Sequence, residues 1–519
     1  SGSGKSASYS KPNAYQMLGS YVFTDPKGEL YDDTAGYLKQ HGYEIKVLNL
    51  VRPQFSDGYN PLKHISSEID VDVIANTIVK GQKGEGGSSE PFWDDSAEML
   101  LKALIYYLMA TRPEEEQNLT SCAELVRAAN SNGGSNLLTE LMSQLPYDHP
   151  ARTNYKSIEI APEKTYSSIL STLQSKLGKF DSKEIAELTS TDTIDFADIG
   201  NKKTAVYVIS SDTHTAYDFL LTIFFSQMIQ QLYDYADQNG GSLKVPTYFI
   251  LDEFANIGKI PDFDKKISTS RSRKISFSVI LQNVDQLEAV YEKSYETIMG
   301  NCDTHLFLGS NSYKTLEYFS KQLGEKTIGR DSISINKDKQ NHKTGKSVSD
   351  QVMARALMTP DELRRLDNDL CIIFEKGIKP IKARKYYYFE HSMAKEMSRY
   401  AISHNDIGEI DRGPWRKYNP YNPYVPEEEK QKKVDNLKVE SLDDLFEDEP
   451  EEIKKEDKVL ETVGASTTNK MPEKKDSNGF ADLKDFEQEA PMLPQDDEYD
   501  LQKELEAKFD ELFGPLEDD

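Results

Sequence analysis

Seven short apolar segments, separated by stretches with helical periodicity, limit this chain to an α/β fold. They are rich in β-branched and aromatic residues, as strands buried on both faces of a parallel sheet are. The first two flank a helical pattern that ends at Gly42, which is the strand–helix–strand unit of a parallel sheet. We therefore predict one parallel sheet whose strands cover 21–24, 43–50, 204–210, 247–253, 276–282, 304–309 and 370–376.

Residues 92–190 interrupt this alternation with helical periodicity and little strand signal. We predict an all-α domain inserted into a nucleotide-binding domain, whose two parts are residues 1–91 and 191–424. A helix is expected over 214–236, and the polar stretch 334–350 is expected to form a loop or a hairpin. Residues 425–519 form a fourth region.

This fourth region carries most of the charge. Of the net charge of −26 over 519 residues, −19 lies in residues 425–519, so the remainder is close to balanced. A tail this polar is expected to be disordered. Acidic–apolar clusters at 441–449, 479–489 and 508–519 leave two interpretations open, a solubilising tail or short motifs that bind a basic partner or an adjacent domain.

Composition excludes several classes of protein. The three cysteines are far apart in the sequence and the eight histidines are scattered, so neither a disulfide framework nor a zinc site is indicated. A reducing, cytoplasmic setting is expected. No apolar run approaches the roughly 18 to 20 residues that span a bilayer.

The first six residues, SGSGKS, match the second half of the phosphate-binding loop G-x-x-x-x-G-K-[ST]. A flexible linker would look similar, but a helical pattern and a strand follow this segment as they do in nucleotide-binding domains. Backbone N–H groups would bind phosphate, Lys5 would reach the β- and γ-oxygens, and Ser6 would ligate Mg²⁺. The cofactor-binding residues predicted here are Gly2, Ser3, Gly4, Lys5 and Ser6.

A second motif, YFILDEF, places Asp252 and Glu253 at the end of an apolar strand. A nucleotide hydrolase needs this arrangement: the aspartate holds the magnesium shell, and the glutamate polarises the attacking water. Apolar strands ending in acids are common, so the motif gains weight from the upstream G-K-S. Gln282 closes the next predicted strand, where it could sense the γ-phosphate.

Basic residues follow the Asp-Glu motif. Arg271, with Arg273 as its competitor, could reach the nucleotide of a neighbouring subunit, or both could be ordinary surface groups. A wider basic run could neutralise phosphates of single-stranded DNA in the pore of a ring, or be balanced by Asp262 and Asp264. The candidate DNA-binding residues are Lys259, Lys265, Lys266, Arg273 and Lys274. In DPKGE (25–29), Lys27 could face phosphate, or the segment could be a simple turn.

In its motifs the chain resembles the TraG-type coupling proteins of type IV secretion and conjugation, in the style of Gram-positive mobile elements. The resemblance spans about residues 1 to 390 and rests on stretches in the family's order, namely SGSGKS with KPN, TDPKGEL, DGYNPL, FWDDSAEMLLKALIYYL, YDFLLTIFFSQ, LDEFANIGKIPDFDKKISTSRSRKISFSVILQN, THLFLGSNS, LMTPDELRRL and CIIF. It implies a RecA-like P-loop domain interrupted by an all-α domain. It also implies Walker A residues Lys5 and Ser6, Walker B residues Asp252 and Glu253, sensor Gln282 and arginine finger Arg271.

The resemblance implies an ATPase that uses ATP and Mg²⁺ to deliver a relaxase bound to single-stranded DNA to the secretion channel. Expected partners are relaxase and relaxosome proteins, channel components and further copies of this chain, in a ring that is usually a hexamer. Membrane helices are expected upstream of the P-loop, which would hold the parent protein at the cytoplasmic face of the cell membrane and leave this part soluble. Two alternatives stay open, an FtsK-like duplex DNA translocase and a docking platform that does not translocate.

Overall fold

The computed structural model describes residues 4–81, 91–131, 136–210, 217–337 and 344–424. Gly2, Ser3 and the predicted acidic tail lie outside these ranges. The strands are β1 (Ser20–Thr24), β2 (Glu44–Asn49), β3 (Thr204–Ile209), β4 (Thr247–Leu251), β5 (Ile275–Val279), β6 (Thr304–Phe307), β7 (Glu325–Lys337), β8 (Thr344–Ala356), β9 (Leu370–Glu375) and β10 (Ile381–Arg384).

A five-residue π-helix, Ser6–Ser10, opens the described chain and continues directly into the first α-helix. The α-helices are α1 (Lys11–Tyr15), α2 (Glu29–Gln40), α3 (Glu68–Lys80), α4 (Pro91–Thr111), α5 (Leu119–Ser131), α6 (Asn136–Ser143), α7 (Pro150–Glu159), α8 (Glu163–Leu177), α9 (Lys183–Ser190), α10 (Phe196–Asn201), α11 (Asp218–Gln238), α12 (Phe263–Thr269), α13 (Val284–Tyr291), α14 (Tyr295–Gly300), α15 (Tyr313–Leu323), α16 (Pro360–Arg364) and α17 (Ala394–Arg399).

The central sheet has five strands in the order β2-β3-β1-β4-β5, and every neighbouring pair is parallel. Successive residues alternate between two apolar cores, one on each face. Along β1, Val22 packs into one core, and Tyr21 and Phe23 pack into the other. The predicted α/β class with a parallel central sheet is confirmed, because β-branched and aromatic residues here are buried on both faces.

Helices cover both faces of this sheet. On one face α1, α2 and α17 pack over a core rich in tyrosine. On the other face α3, α10 and α11 pack over a larger core, which continues without a break into the helices α4 to α9. These six helices occupy the stretch from Pro91 to Ser190, and no strand interrupts its described residues.

Two predicted strands do not belong to the parallel sheet. β6 and β9, predicted at 304–309 and 370–376, pair antiparallel with each other, and β9 pairs antiparallel with β10. The pairing of β9 with β10 follows from the turn between them, where Gly377 has a φ of +85° and Ile378 donates a backbone hydrogen bond to Glu375. A tight turn can join only antiparallel neighbours, whereas parallel strands need a long crossover.

The structure corrects the bounds of one further predicted strand and decides between the two alternatives for the polar stretch. The strand predicted at 276–282 is β5, which ends at Val279 and lies at the edge of the sheet rather than at its centre. The described residues of the polar stretch, 334–337 and 344–350, belong to two long antiparallel strands, β7 and β8, as the hairpin alternative predicted. Among the described helices, none combines the length and the hydropathy needed to span a bilayer.

The segment after α17 returns to the sheet and packs along α2. The backbone N–H of Ile402 donates to the carbonyl of Asp32, and the His404 imidazole lies 3.0 Å from the Asp32 carboxylate. Gly36 makes this approach possible, because a Cβ at this position would lie 2.0 Å from the carbonyl oxygen of Tyr400. α2 therefore carries a glycine where the returning backbone crosses it.

We expect Gly36→Ala to lower the free energy of unfolding by about 1–3 kcal/mol, since neither backbone can move away without losing its hydrogen bonds. Denaturant unfolding measures this. Gly178→Ala is the matched control, because Gly178 has helical backbone angles and open space around its Cβ position. Equal stability of the two variants would contradict the proposed packing.

Candidate nucleotide-binding site

The site lies at the edge of the central sheet where its parallel strands end. The loop at Gly4 and Lys5 leads into the π-helix on one side, and Asp252 and Glu253 follow the last residue of β4 on the other. Gly4 has a φ of +72°, a conformation that glycine adopts without strain. The carbonyl of Gly4 accepts hydrogen bonds from the backbone N–H and the hydroxyl of Ser8, both at 2.8 Å.

Lys5 contacts both acidic residues of the YFILDEF motif. Its Nζ lies 3.0 Å from Glu253 Oε1 and 3.4 Å from Asp252 Oδ1. The three side chains are between 10% and 17% exposed, so water screens these charges only weakly. The structure thus brings together residues that are 248 positions apart in sequence.

The same cluster holds oxygen ligands suited to a divalent cation. Ser6 Oγ lies 3.4 Å from Asp252 Oδ2, while the opposite oxygen of Asp252 faces Lys5. One lysine cannot neutralise two carboxylates, so the cluster keeps a net negative charge. A hydroxyl beside a carboxylate in a negatively charged site fits Mg²⁺, which prefers oxygen ligands.

Gln282 completes the cluster. Its Nε2 donates a hydrogen bond of 2.9 Å to Glu253 Oε1, the oxygen that also faces Lys5. Gln282 lies three residues beyond β5 rather than inside the strand as predicted. Its backbone N–H is held by Gln286 Oε1 in the first turn of α13.

Glu253 has an unusual backbone conformation. Its φ of +52° is in the left-handed region, which is costly for a residue with a side chain. The neighbouring backbone is fixed on both sides: Glu253 N–H donates to Asp252 Oδ1, and Phe254 N–H donates to the carbonyl of Ile280. The backbone is therefore strained at Glu253, the residue predicted to polarise the attacking water.

Sequence reasoning missed two residues that hold this edge together. Thr24 donates from its hydroxyl to the carbonyl of Asp252 at 2.7 Å and so ties the end of β1 to the end of β4. Tyr9 in the π-helix shares a 2.7 Å hydrogen bond with Ser278 of β5. Thr24 could have been found by the logic applied to Gln282, since it is a polar residue that closes an apolar strand.

The two arginines lie at the opposite edge of the sheet. Arg271 and Arg273 precede β5 at its amino end, and β5 alone spans about 13 Å at the usual rise per residue. Arg273 binds Asp237 with two hydrogen bonds of 2.9 and 3.0 Å, and its guanidinium stacks on the ring of Tyr233. The hydrogen-bonded Asp237 carboxylate raises the pKa of Arg273. Arg271 is exposed and has no side-chain partner among the described residues.

The other basic residues differ in their exposure and in their partners. Lys265 pairs with Asp262 at 2.5 Å, as the balanced-loop alternative expects. Burial lowers the pKa of Lys266, whose side chain is half-buried. Lys259 and Lys274 are exposed, and they lie at opposite ends of the connection between β4 and β5.

The DPKGE segment forms a turn that begins with a buried carboxyl group. Gly28 has a φ of +74°, and its N–H donates to the carbonyl of Asp25 at 3.2 Å, whereas Lys27 is exposed. The Asp25 carboxylate accepts a hydrogen bond from the N–H of Tyr31 at the start of α2. Burial nevertheless raises the pKa of Asp25 to about 6.

The raised pKa of Asp25 predicts how the free energy of unfolding depends on pH. A carboxyl with a raised folded-state pKa binds more protons in the folded chain than in the unfolded one, so its contribution to stability is lost as pH rises from about 4 to 6. Asn at this position keeps an acceptor for Tyr31 without a charge. The unfolding free energy of Asp25→Asn minus that of the unchanged chain should therefore rise by about 1–3 kcal/mol across this range. A difference independent of pH would show that Asp25 titrates normally.

Comparison with protein families and curated proteins matches this chain to proteins of conjugative DNA transfer. The family model described as "Type IV secretory system Conjugative DNA transfer" matches residues 1–409. Over 388 residues the chain is 26% identical to the conjugal transfer protein TraG of Escherichia coli, covering 70% of this chain and 60% of TraG. Over 417 residues it is 23% identical to the protein VirD4 of Rhizobium rhizogenes, covering 76% of this chain and 58% of VirD4.

Solved structures show the same fold at low sequence identity. The unbound monoclinic form of the bacterial conjugative coupling protein TrwBdeltaN70 matches with a TM-score of 0.52 and 17% identity, over 74% of this chain and 82% of that one. Its trigonal form in complex with sulphate matches with a TM-score of 0.53 and 16% identity, over 74% and 83%. The likeness confirms the predicted RecA-like α/β fold. The chain spans about 60% of the length of the curated relatives.

Proposed function

The chain belongs to the type IV secretory system conjugative DNA-transfer family, and we propose that it is the ATP-hydrolysing part of a coupling protein. In this proposal, ATP hydrolysis drives delivery of relaxase-bound single-stranded DNA to the secretion channel. The observation that carries the proposal is the cluster of Lys5, Ser6, Asp252, Glu253 and Gln282, joined by contacts of 2.9 to 3.4 Å at the carboxyl edge of a parallel sheet.

In the proposed site Lys5 is the phosphate ligand. Its ammonium group rests on Glu253 and Asp252, and an anionic phosphate would offer it a stronger partner than the shared carboxylates. Ser6 and Asp252 would hold Mg²⁺, which neutralises charge on the phosphate oxygens. Gly4, with its left-handed backbone, lets the loop approach the phosphates closely.

Glu253 and Gln282 would act on the attacking water. Glu253 Oε1 accepts from both Lys5 and Gln282, whereas Oε2 has no hydrogen bond to the described residues and is available to polarise a water molecule. Gln282 fixes the orientation of that carboxylate and lies where it could report the γ-phosphate. This division of roles follows the requirement of phosphoryl transfer for positioning rather than covalent chemistry.

Arg271 would serve the nucleotide of a neighbouring copy in a ring, which we propose to be a hexamer. It lies at the wrong edge of the sheet for its own site, and it is free of side-chain partners in the described part of the chain. Arg273 is a poorer candidate because releasing it would break its bidentate pair with Asp237.

We expect Arg271→Ala to keep ATP affinity within about threefold and to lower the hydrolysis rate of assembled rings about 10³-fold or more, since an arginine finger acts only on the transition state. Calorimetry and a steady-state phosphate-release assay with single-stranded DNA measure the two quantities. Arg273→Ala is the matched control. It should retain hydrolysis but lose about 1 kcal/mol of stability.

Mixing makes the test specific for action between subunits. Arg271→Ala and Lys5→Ala chains should each be inactive alone, and mixed rings should regain activity at interfaces where an intact Arg271 faces an intact Lys5 site. No recovery on mixing, with both variants still assembling, would argue against Arg271 as the finger.

The helices between Pro91 and Ser190 are the proposed receptor for the relaxase and relaxosome proteins. They lie apart in sequence from the residues of the nucleotide site, which come from both flanking parts of the chain. We propose the domain division 1–91, 92–190, 191–424 and 425–519, and a position for the full-length protein at the cytoplasmic face of the cell membrane, next to the channel components.

The basic connection between β4 and β5 is the proposed contact with single-stranded DNA. Replacing Lys265 and Lys266 by Ala should reduce the slope of log affinity against log salt by about 1.4, as expected for two lost phosphate contacts on a single strand. Fluorescence anisotropy with a labelled oligonucleotide measures this. Lys164→Ala with Lys183→Ala removes two exposed charges from the helical region as the control. An unchanged slope for both pairs would favour the balanced-loop interpretation.

A further inference from the structure

One aromatic ring lies beside the proposed phosphate-binding loop, a second ring stacks on it, and neither has a role in the cluster of charges. The ring of Tyr387 is 3.6 Å from the position that a Cβ on Gly4 would occupy. The ring of Phe389 stacks on Tyr387, with centroids 5.2 Å apart and planes 6° from parallel. Both residues follow β10, and Tyr388–Glu390 form a short 3₁₀ turn between this strand and α17. We refer to Tyr387 and Phe389 as the aromatic pair.

The aromatic pair is held in place from two sides. The hydroxyl of Tyr387 donates to Asp369 Oδ1 at 3.0 Å, which ties it to the residue just before β9. The ammonium group of Lys11, in α1, lies 4.8 Å from the centre of the Tyr388 ring and also pairs with Asp33. Because α1 continues the helix that starts at the loop, Tyr388, the residue between the two members of the pair, is anchored to the helix that follows Lys5.

Phe389 keeps an exposed ring face. Tyr387 covers one of its faces, Tyr388 meets it at 72°, and its side chain is still 61% exposed. An aromatic face that is open to solvent, one stacked ring away from the proposed phosphate-binding loop, offers what a nucleotide base needs: a π-face on which to stack.

We propose that the aromatic pair binds the base of the nucleotide whose phosphates Lys5 and Ser6 hold. The inference rests on the proposed ATP site and adds to it the part of the ligand that the charged cluster does not address. Stacking recognises a π-face rather than a hydrogen-bonding pattern, so this site should accept ATP and GTP with similar affinity.

The experiment compares ATP with inorganic tripolyphosphate, which has the phosphates but no base, by calorimetry in the presence of Mg²⁺. Tyr387→Leu combined with Phe389→Leu should weaken ATP binding about tenfold and leave tripolyphosphate binding unchanged. Unchanged tripolyphosphate binding also shows that the variant is folded. Tyr387→Phe, which keeps the ring and loses only the hydrogen bond to Asp369, should bind ATP almost as well as the unchanged chain.

Tyr386→Leu is the matched control, because Tyr386 is an exposed aromatic residue of the same segment whose ring lies near His391 instead. If the double variant binds ATP as tightly as this control, the aromatic pair is not the base site, and the ATP site still stands. If it loses ATP and tripolyphosphate equally, the rings support the loop rather than the base. If the unchanged chain binds neither ligand, the nucleotide site itself is wrong and the base site falls with it.

Discussion

The contact between Lys5 and Glu253 joins the two sides of the candidate site, and the central sheet sets its geometry. Lys5 lies in the loop that leads through the π-helix and α1 to β1, and it faces Glu253, 248 residues later, at the end of β4. β1 and β4 are parallel neighbours in register, from Ser20 beside Thr247 to Thr24 beside Leu251. Thr24 then locks the two strand ends together through the carbonyl of Asp252. The site is thus a consequence of strand direction, because parallel strands bring all their carboxyl ends to one edge.

The parallel direction of the strands also places the proposed functional residues at two opposite edges of the sheet. The residues proposed to act on a nucleotide within one chain lie at the carboxyl edge, whereas Arg271, proposed to act on another copy, lies at the amino edge. A monomer with this geometry would hold nucleotide without its finger. Under the proposed function, hydrolysis would then depend on assembly.

The sequence could supply much of the fold and of the site. Short apolar segments predicted five strands of the parallel sheet, and G-K-S with Asp-Glu predicted Lys5, Ser6, Asp252 and Glu253, which the structure brings together. The sequence could not show that β6 and β9 lie outside that sheet, because short apolar strands have similar sequences whether they pair parallel or antiparallel. Nor could it separate Arg271 from Arg273, because the pairing of Arg273 with Asp237 involves a helix 36 residues upstream.

Residue types and spacing by themselves therefore determined the α/β class, the proposed phosphate-binding loop and the acidic pair, because these depend on local periodicity and on chemistry that few residues provide. Only the tertiary structure decided which sheet each strand joins, which of the two arginines has no side-chain partner among the described residues, and that Tyr387 lies beside Gly4. These contacts join residues that are distant in sequence, and they are set by packing of the whole fold, which no local pattern encodes.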